Sequence, residues 1–418
     1  MPDLCSGGWT DKNESIFHAW RCCVMQTAKS RSTVTKGTVF FLLFASMLIL
    51  MGGAAVAPAI QELCAEFSEY SDTLVRMIVT LPALAVACSG FFIGGITDRI
   101  GRKPTLCISL VLFVVAGAAG YFLPTLPMIL VSRIILGFGI GGILTSTTAL
   151  IAEYYPGAEK AKILGYQAAA FGIGGLILET SGGILTVFGG GRAPFLLYLI
   201  GIVILIGVIV TIREPVHEEY EKRAAGAKLN KPVLFVIFLL ILLTEIIYFI
   251  TPTYMSSLAD GFGFSAAYAG LLIGVGGLVS AIPGIFYGRF IIRYLSRDVT
   301  IFLAFLCMAA GMMLIGVTAA LPLLLAGTAL QGFGIGIMTP TLPTWIATVT
   351  SPVSMGLAMG VYAIGFNLGQ FLAPIAAAPV VAAVGSYSGM FFAAGAVSAV
   401  IGVVYLAGAF LLRRCPRE

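Results

Sequence analysis

Twelve long apolar runs separated by short polar turns dominate this sequence and leave it few ways to fold. A helix needs about 20 mostly apolar residues to cross a bilayer. Such runs lie near 37–58, 73–96, 104–123, 127–151, 161–187 and 194–212, and again near 232–254, 266–290, 299–317, 321–347, 354–382 and 387–411. They are continuously apolar rather than alternating, unlike the strands of a membrane barrel. Only 10% of the residues are charged and 59% are hydrophobic, against roughly 25% charged in an ordinary soluble domain. The 51 glycines suit the same class, because small residues let membrane helices approach closely. The expected product is an all-α membrane protein of twelve transmembrane helices.

The placement of charge orients the spans. Arg31 and Lys36 precede the first span, Arg99, Arg102 and Lys103 follow the second, and Lys160 and Lys162 follow the fourth. Arg289, Arg293 and Arg297 follow the eighth, and Arg413, Arg414 and Arg417 end the chain. With twelve spans all of these share one side. The opposite loops carry Glu62, Glu66, Glu69, Asp72 and Asp260, with Arg192 as the main cation. Cationic loops stay in the cytoplasm, so both termini are expected there, in a multi-pass protein of the cell membrane.

Residues 1–36 read as a polar cytoplasmic tail without the short apolar core of a signal peptide. Within it, IFHAWRCCVM (16–25) suits either a short amphipathic surface segment or a disordered tail. Of the eight cysteines, Cys5, Cys22 and Cys23 lie in this tail, Cys415 at the C-terminus, and Cys88, Cys107 and Cys307 in apolar runs. Only Cys64 is placed in an outer loop, so no external disulfide is expected, and buried thiols are the plain reading.

The one long charged stretch between spans is REPVHEEYEKRAAGAKLNK (213–231). It reads as a cytoplasmic linker between a six-helix bundle at 37–212 and a second at 232–412, with 413–418 as a short tail. The two halves are related. A shift of 195 positions puts GFGIG (137–141) on GFGIG (332–336). Without a gap, Ile151 and Ala152 then meet Ile346 and Ala347, Gly165 meets Gly360, Phe171 meets Phe366, and Gly174 meets Gly369. This predicts a parallel repeat of two six-helix bundles, an arrangement that supports alternating access between them.

Three motifs carry a resemblance. The first is GGITDRIGRKP (94–104) after the second span, with Gly94, Asp98, Arg99, Gly101, Arg102 and Lys103 at fixed spacing. Gly94 suits a close helix contact and Gly101 a tight turn. The second is Arg133 followed by Gly137, Gly139 and Gly141 in the fourth span. A charge in a span belongs in the bundle interior or a wet cavity. The bland alternative is a snorkelling arginine, since Arg133 lies only about 9 Å from the end of its span. The third is Leu178-Glu179-Thr180-Ser181-Gly182-Gly183 in the fifth span.

The loop pattern and the arginine–glycine pattern resemble those of the major facilitator superfamily, over nearly the whole of 37–412. The resemblance implies a transporter of small molecules. It implies that Asp98 helps latch the cytoplasmic side shut against the start of the eleventh helix, placed here at Ser351-Pro352. There the cap residue, the proline and the helix dipole would favour the acid. It also implies an association of Arg133 with proton coupling. In the fifth span, antiporters of the family carry Gly-Pro before the glycine pair, and Glu179 replaces that proline here. Glu179 lies about 12 Å from the outer end of its helix, at a depth similar to Arg133, so an ion pair between them is geometrically open. Pairing relieves desolvation whether the pair is structural or handles protons.

Glu245 lies near the middle of the seventh span with no cation beside it in sequence. Such a group suits proton exchange or recognition of a cationic substrate; a neutral acid bonded to another helix is the structural alternative. The family's packing implies that Glu245 and Gln331 face a central cavity, with Tyr248, Tyr254, Asn367 and Gln370 as further polar lining. The eighth span ends in GIFYGRFIIRYLSR (284–297), a degenerate copy of the loop signature without its acid.

No phosphate-binding loop or metal-ligand spacing occurs, and the two histidines, His18 and His217, lie outside the spans. No nucleophile and base fall together. The expectation is therefore a monomeric, cofactor-free, metal-free, non-enzymatic carrier that binds a small molecule, protons and lipid, and no nucleic acid. Export of amphipathic compounds coupled to protons is the leading reading. Uptake of a sugar, organic acid or other nutrient by symport or facilitation is the second, and a non-transporting solute receptor the third.

Overall fold

In the computed structural model the described residues are 36–49, 51–155, 157–214, 230–287, 291–351 and 354–414. The expected N-terminal tail up to residue 35, with its amphipathic segment, lies outside them, as do most of the linker and the last four residues; His18, His217, Cys5, Cys22, Cys23 and Cys415 fall in these stretches.

Eleven helices among the described residues are long and apolar enough to cross a membrane, and a bent pair raises the number to twelve. The bent pair is the first span, in which Gly37–Met47 and Met51–Glu66 meet at 50°. The bend falls where Gly52, Gly53 and Pro58 interrupt an otherwise apolar run, residues that weaken helix continuity. Gly53 also allows the second span to cross closely, because a Cβ there would strike the Val79 carbonyl.

The remaining spans are Asp72–Ile100, Arg102–Phe122, Leu126–Tyr154, Gly157–Gly189, the 3₁₀ turns Ala193–Leu199 continued by Ile200–Thr211, Lys231–Gly261, Ala266–Phe286, Arg297–Val317, Leu321–Val349, Met355–Val384 and Tyr387–Arg414. Side chains such as Phe122, Phe188, Val210 and Leu411 stand exposed on the outside. That is the reverse of a soluble fold and fits a lipid solvent.

Spans 1–6 and 7–12 form two bundles, and the repeat read from the sequence reappears in their packing. A Cβ on Gly139 would press on Ser109 and Phe113 of the third span, and one on Gly334 on Ala304 and Met308 of the ninth. The two sets of neighbours are displaced by the same 195 positions. Between bundles, span 5 packs along span 8 and span 2 along span 11.

This seam is not uniform. We call the end holding the linker the linker end, and the opposite end the far end. Near the far end, a Cβ on Gly183 would collide with the Ala266 carbonyl across the seam, and one on Gly270 with the Glu179 carbonyl. Further along, a Cβ on Gly274 would lie 2.8 Å from Leu176, and one on Gly172 3.2 Å from Ala281. At the linker end, Gly90, Gly94 and Gly95 of span 2, Gly284 of span 8, and Gly356 and Gly360 of span 11 face open space. The bundles are closed at the far end and splayed at the linker end.

Several expectations are corrected. Cys64 is not in a loop but buried in the helix Ile60–Glu66. Cys88 is exposed, not buried; Cys64, Cys88, Cys107 and Cys307 are all free thiols. Span 11 begins at Met355 after Ser354, one turn later than the expected cap at Ser351. Gly94 makes no close helix contact, because the bundles part at that level.

Candidate functional site

Among the described residues, three groups of polar side chains fall on the motifs and charges singled out in the sequence. The first lies at the loop signature. Gly101 has φ +99°, a conformation that disfavours any side chain. It turns the chain so that the Arg102 and Lys103 amides, at the start of span 3, donate to the Glu214 carboxylate at 2.6 and 2.7 Å. A carboxylate is well placed there, at the positive end of the helix dipole. Arg102 also pairs with Glu153 of span 4 at 2.8 Å, Lys103 donates to the Ile209 carbonyl at 2.9 Å, and Tyr154 donates to the Arg213 carbonyl. The signature thus ties spans 3, 4 and 6 into one end of the first bundle. Arg99 is exposed. The latch contact expected of Asp98 involves a side chain outside the described residues, as does Pro352.

The second group is built on Arg133, which is fully buried. Its guanidinium donates to the Ala116 and Gly117 carbonyls at 2.8 and 2.7 Å and lies 4.8 Å and 5.2 Å from the ring centres of Phe195 and Tyr198. Tyr198 in turn donates to the Met51 carbonyl at 2.8 Å. Arg133 therefore neither snorkels nor faces a cavity. The ion pair considered with Glu179 is not formed, because Glu179 turns to the seam and Arg133 into spans 3 and 6. Depth along a helix was compatible with pairing; rotation about the helix axis was not.

The third group lies between the bundles. Glu179 of span 5 is 8% exposed, and its Oε2 has no hydrogen-bond partner. It points along span 8, 3.9 Å from where a Cβ on Gly277 would be. Glu245 of span 7 is 1% exposed; Oε2 accepts from Gln370 Nε2 at 3.1 Å, and Oε1 has no partner. Gly369 lets span 11 close on this acid, since a Cβ there would lie 2.6 Å from the Glu245 Cβ. Tyr248 stands within electrostatic reach of both carboxylates, and Tyr362 within reach of Glu245. The structure thus pairs Glu245 with Gln370 and sets Glu179, from the other bundle, against span 8 within electrostatic reach of the same Tyr248.

Gln331 does not line an open space. It is 1% exposed, accepts from Thr251 at 2.6 Å and donates to the Tyr248 carbonyl at 3.3 Å. Pro252 lacks the amide that would serve that carbonyl within the helix. Gln331 replaces it, so the residue repairs span 7 from span 10. Asn367 bonds to the Ala363 carbonyl of its own helix at 2.9 Å. Tyr254 is buried at the far end rather than lining a cavity.

Arg76, one turn into span 2, was missed by the sequence reading. It is fully buried and holds the far-end seam, donating to the Thr253 carbonyl at 2.5 Å, to Ser257 at 2.9 Å and to Tyr387 at 3.4 Å. A charge in the second turn of an apolar span was the available signal.

Among the described residues no three acids, histidines and cysteines gather as a metal site.

Comparison with known proteins agrees with this architecture. The chain is 25% identical to Multidrug resistance protein 1 of Bacillus subtilis (strain 168) over 81% of its own length and 88% of that protein. It is 29% identical to Quinolone resistance protein NorA of Staphylococcus aureus, an alignment spanning 54% of this chain and 56% of that one. The crystal structure of a POT family transporter in complex with a thioalcohol conjugated peptide superposes with a TM-score of 0.74 at 12% identity, over 91% of this chain and 99% of that one. Residues 42–320 and 237–418 each match the Major Facilitator Superfamily, and the chain belongs to that family.

Proposed function

We propose that this protein exports amphipathic small molecules by alternating access, in exchange for protons. One observation carries the reading: two buried carboxylates, one on each bundle, each keep an oxygen without a partner, and both lie within electrostatic reach of the same tyrosine. A buried ionisable group left unsatisfied in a membrane interior is costly, and proton or cation binding relieves the cost. Glu245, midway along span 7, is the principal coupling or substrate group. Glu179 is the second. The relatives' names, which speak of multidrug and quinolone resistance, support export over uptake and transport over catalysis.

The linker end is the cytoplasmic side in this reading, on the strength of its basic loops, and the protein works as a monomer in the cell membrane. The splayed linker end then admits substrate from the cytoplasm. The loop signature from Gly94 to Arg102, with Asp98, closes that end in the opposite state. Arg133 keeps spans 3, 4 and 6 in register rather than meeting protons.

The test is flux in reconstituted vesicles with an imposed pH gradient and an internal pH dye, screened against cationic and neutral amphipathic compounds. Protons moving against substrate are expected. Glu245→Gln is expected to abolish coupled flux, and Glu179→Gln to reduce it at least about tenfold. Full flux and unchanged pH dependence in both variants would remove the reading.

A further inference from the structure

Arg76 has no place in the coupling scheme, yet it is a charge fully removed from solvent at the far end. Among the described residues, its partners in the second bundle are neutral: the Thr253 carbonyl, the Ser257 hydroxyl, the Tyr387 hydroxyl, and the ring of Tyr254 with its centre 4.0 Å from the guanidinium carbon. The Tyr387 ring lies 5.6 Å away, and Tyr254 is itself fixed by donating to the Pro374 carbonyl at 3.2 Å. Spans 7, 11 and 12 thus build one receptacle for a side chain of span 2.

Among the described residues, the carboxylate paired with it belongs to its own helix. Asp72 lies one turn away, 3.8 Å from Nη2, with a side chain 61% exposed. An acid four residues away on the same helix stays in reach whatever the other bundle does. A buried carboxylate across the seam would instead oppose separation, because parting it from the arginine would strand a charge.

We propose that Arg76 is the clasp of the far-end gate, gripped by neutral oxygens and two tyrosine rings of the second bundle when that end is closed, and handed to Asp72 when it opens. The grip is charge-assisted and so favours closure. No carboxylate of the second bundle pairs with it among the described residues, which keeps the grip reversible. Arg76 is a positioning residue: it touches neither acid of the central group, and it sets which end of the seam is shut.

Cys64 supplies a native reporter. It is buried at the same end and close enough to Arg76 and Asp72 to feel both charges. The experiment measures alkylation of Cys64 by a maleimide in purified protein whose other cysteines are serine, without substrate or pH gradient. A second readout is the pulsed-EPR distance between spin labels at the exposed positions 69 and 260, one on each bundle. Neither readout depends on what is carried or on proton coupling, so failure of the export reading leaves the test intact.

Arg76→Gln is expected to raise the alkylation rate about tenfold and to add a longer distance population. Tyr254→Leu is expected to do the same by a few-fold through the lost cation–π contact. Ser257→Asp gives the clasp the carboxylate it lacks; alkylation is expected to fall, the short distance to sharpen, and flux to slow about tenfold. Arg76→Gln with unchanged or slower alkylation and no longer distance would overturn the proposal, since it would mean that the buried charge opposes closure or is indifferent to it. If Arg76→Gln does not fold, Ser257→Asp decides alone on the distance readout, which the thiol's own charge environment does not touch: an unchanged or longer distance overturns the clasp.

Discussion

The two ends of the seam are made from similar helices and behave oppositely. At the far end, Gly183 and Gly270 bring backbone against backbone, and Arg76 is buried in the second bundle. At the linker end, Gly94, Gly284 and Gly360 face nothing, while charged groups bond within the first bundle: Arg102 to Glu153 and the span 3 amides to Glu214. The difference teaches that a glycine in a membrane helix is not evidence of contact in every state. The far-end glycines hold the present conformation; those at the linker end are available to the one in which that end closes.

This contrast can be broken by single substitutions, ordered here by expected size. Gly183→Ala forces a methyl group against the Ala266 carbonyl and is expected to cost about 1–3 kcal/mol, as overpacking does; a lowered melting midpoint in detergent checks it. Gly101→Ala places a side chain at φ +99° and ψ +164° against Glu214, an essentially glycine-only region, and is expected to cost about 1–3 kcal/mol, again seen as a lower midpoint. Glu214→Gln removes the negative charge at the start of span 3 for about 0.3–1 kcal/mol; its midpoint should drop less, and high salt should narrow the gap to the wild type. Gly284→Ala meets open space and should leave the midpoint unchanged, yet slow flux where the linker end must close. A destabilisation by Gly284→Ala equal to that of Gly183→Ala would show that the linker end is also packed.

The same pairing of legible and hidden features recurs at the charged residues. The loop signature, the turn at Gly101 and the intramembrane positions of Arg133, Glu179 and Glu245 were all visible as motifs or as charges in apolar runs. The partners were not. Arg133 and Glu179 sit at similar depths, and sequence offers no measure of helix rotation, so a pair that depth allowed was not formed. Gln331 read as lining, but Pro252, on a helix far earlier in the chain, frees the Tyr248 carbonyl that it serves. Arg76 lies one turn into a span, where arginines often reach the surface, and only its neighbours on spans 7 and 12 show that it does not.

What the sequence determined by itself was the part of the problem that is local or periodic. A continuous run of about 20 apolar residues becomes a helix where lipid replaces water, because only a helix satisfies all of a segment's backbone hydrogen bonds within that segment. Basic loops fall together, and a 195-residue repeat declares two related bundles. The tertiary structure alone decided which end of the seam is closed, which acid faces which tyrosine, and which arginine crosses between bundles. Those outcomes depend on the rotation and tilt of helices packed against partners far away in the chain, and on which of two competing seams is shut. Within a bilayer, apolar side chains gain little by choosing one helix over another. The choice falls to close glycine contacts and a few buried polar groups, and these act only once the helices have met.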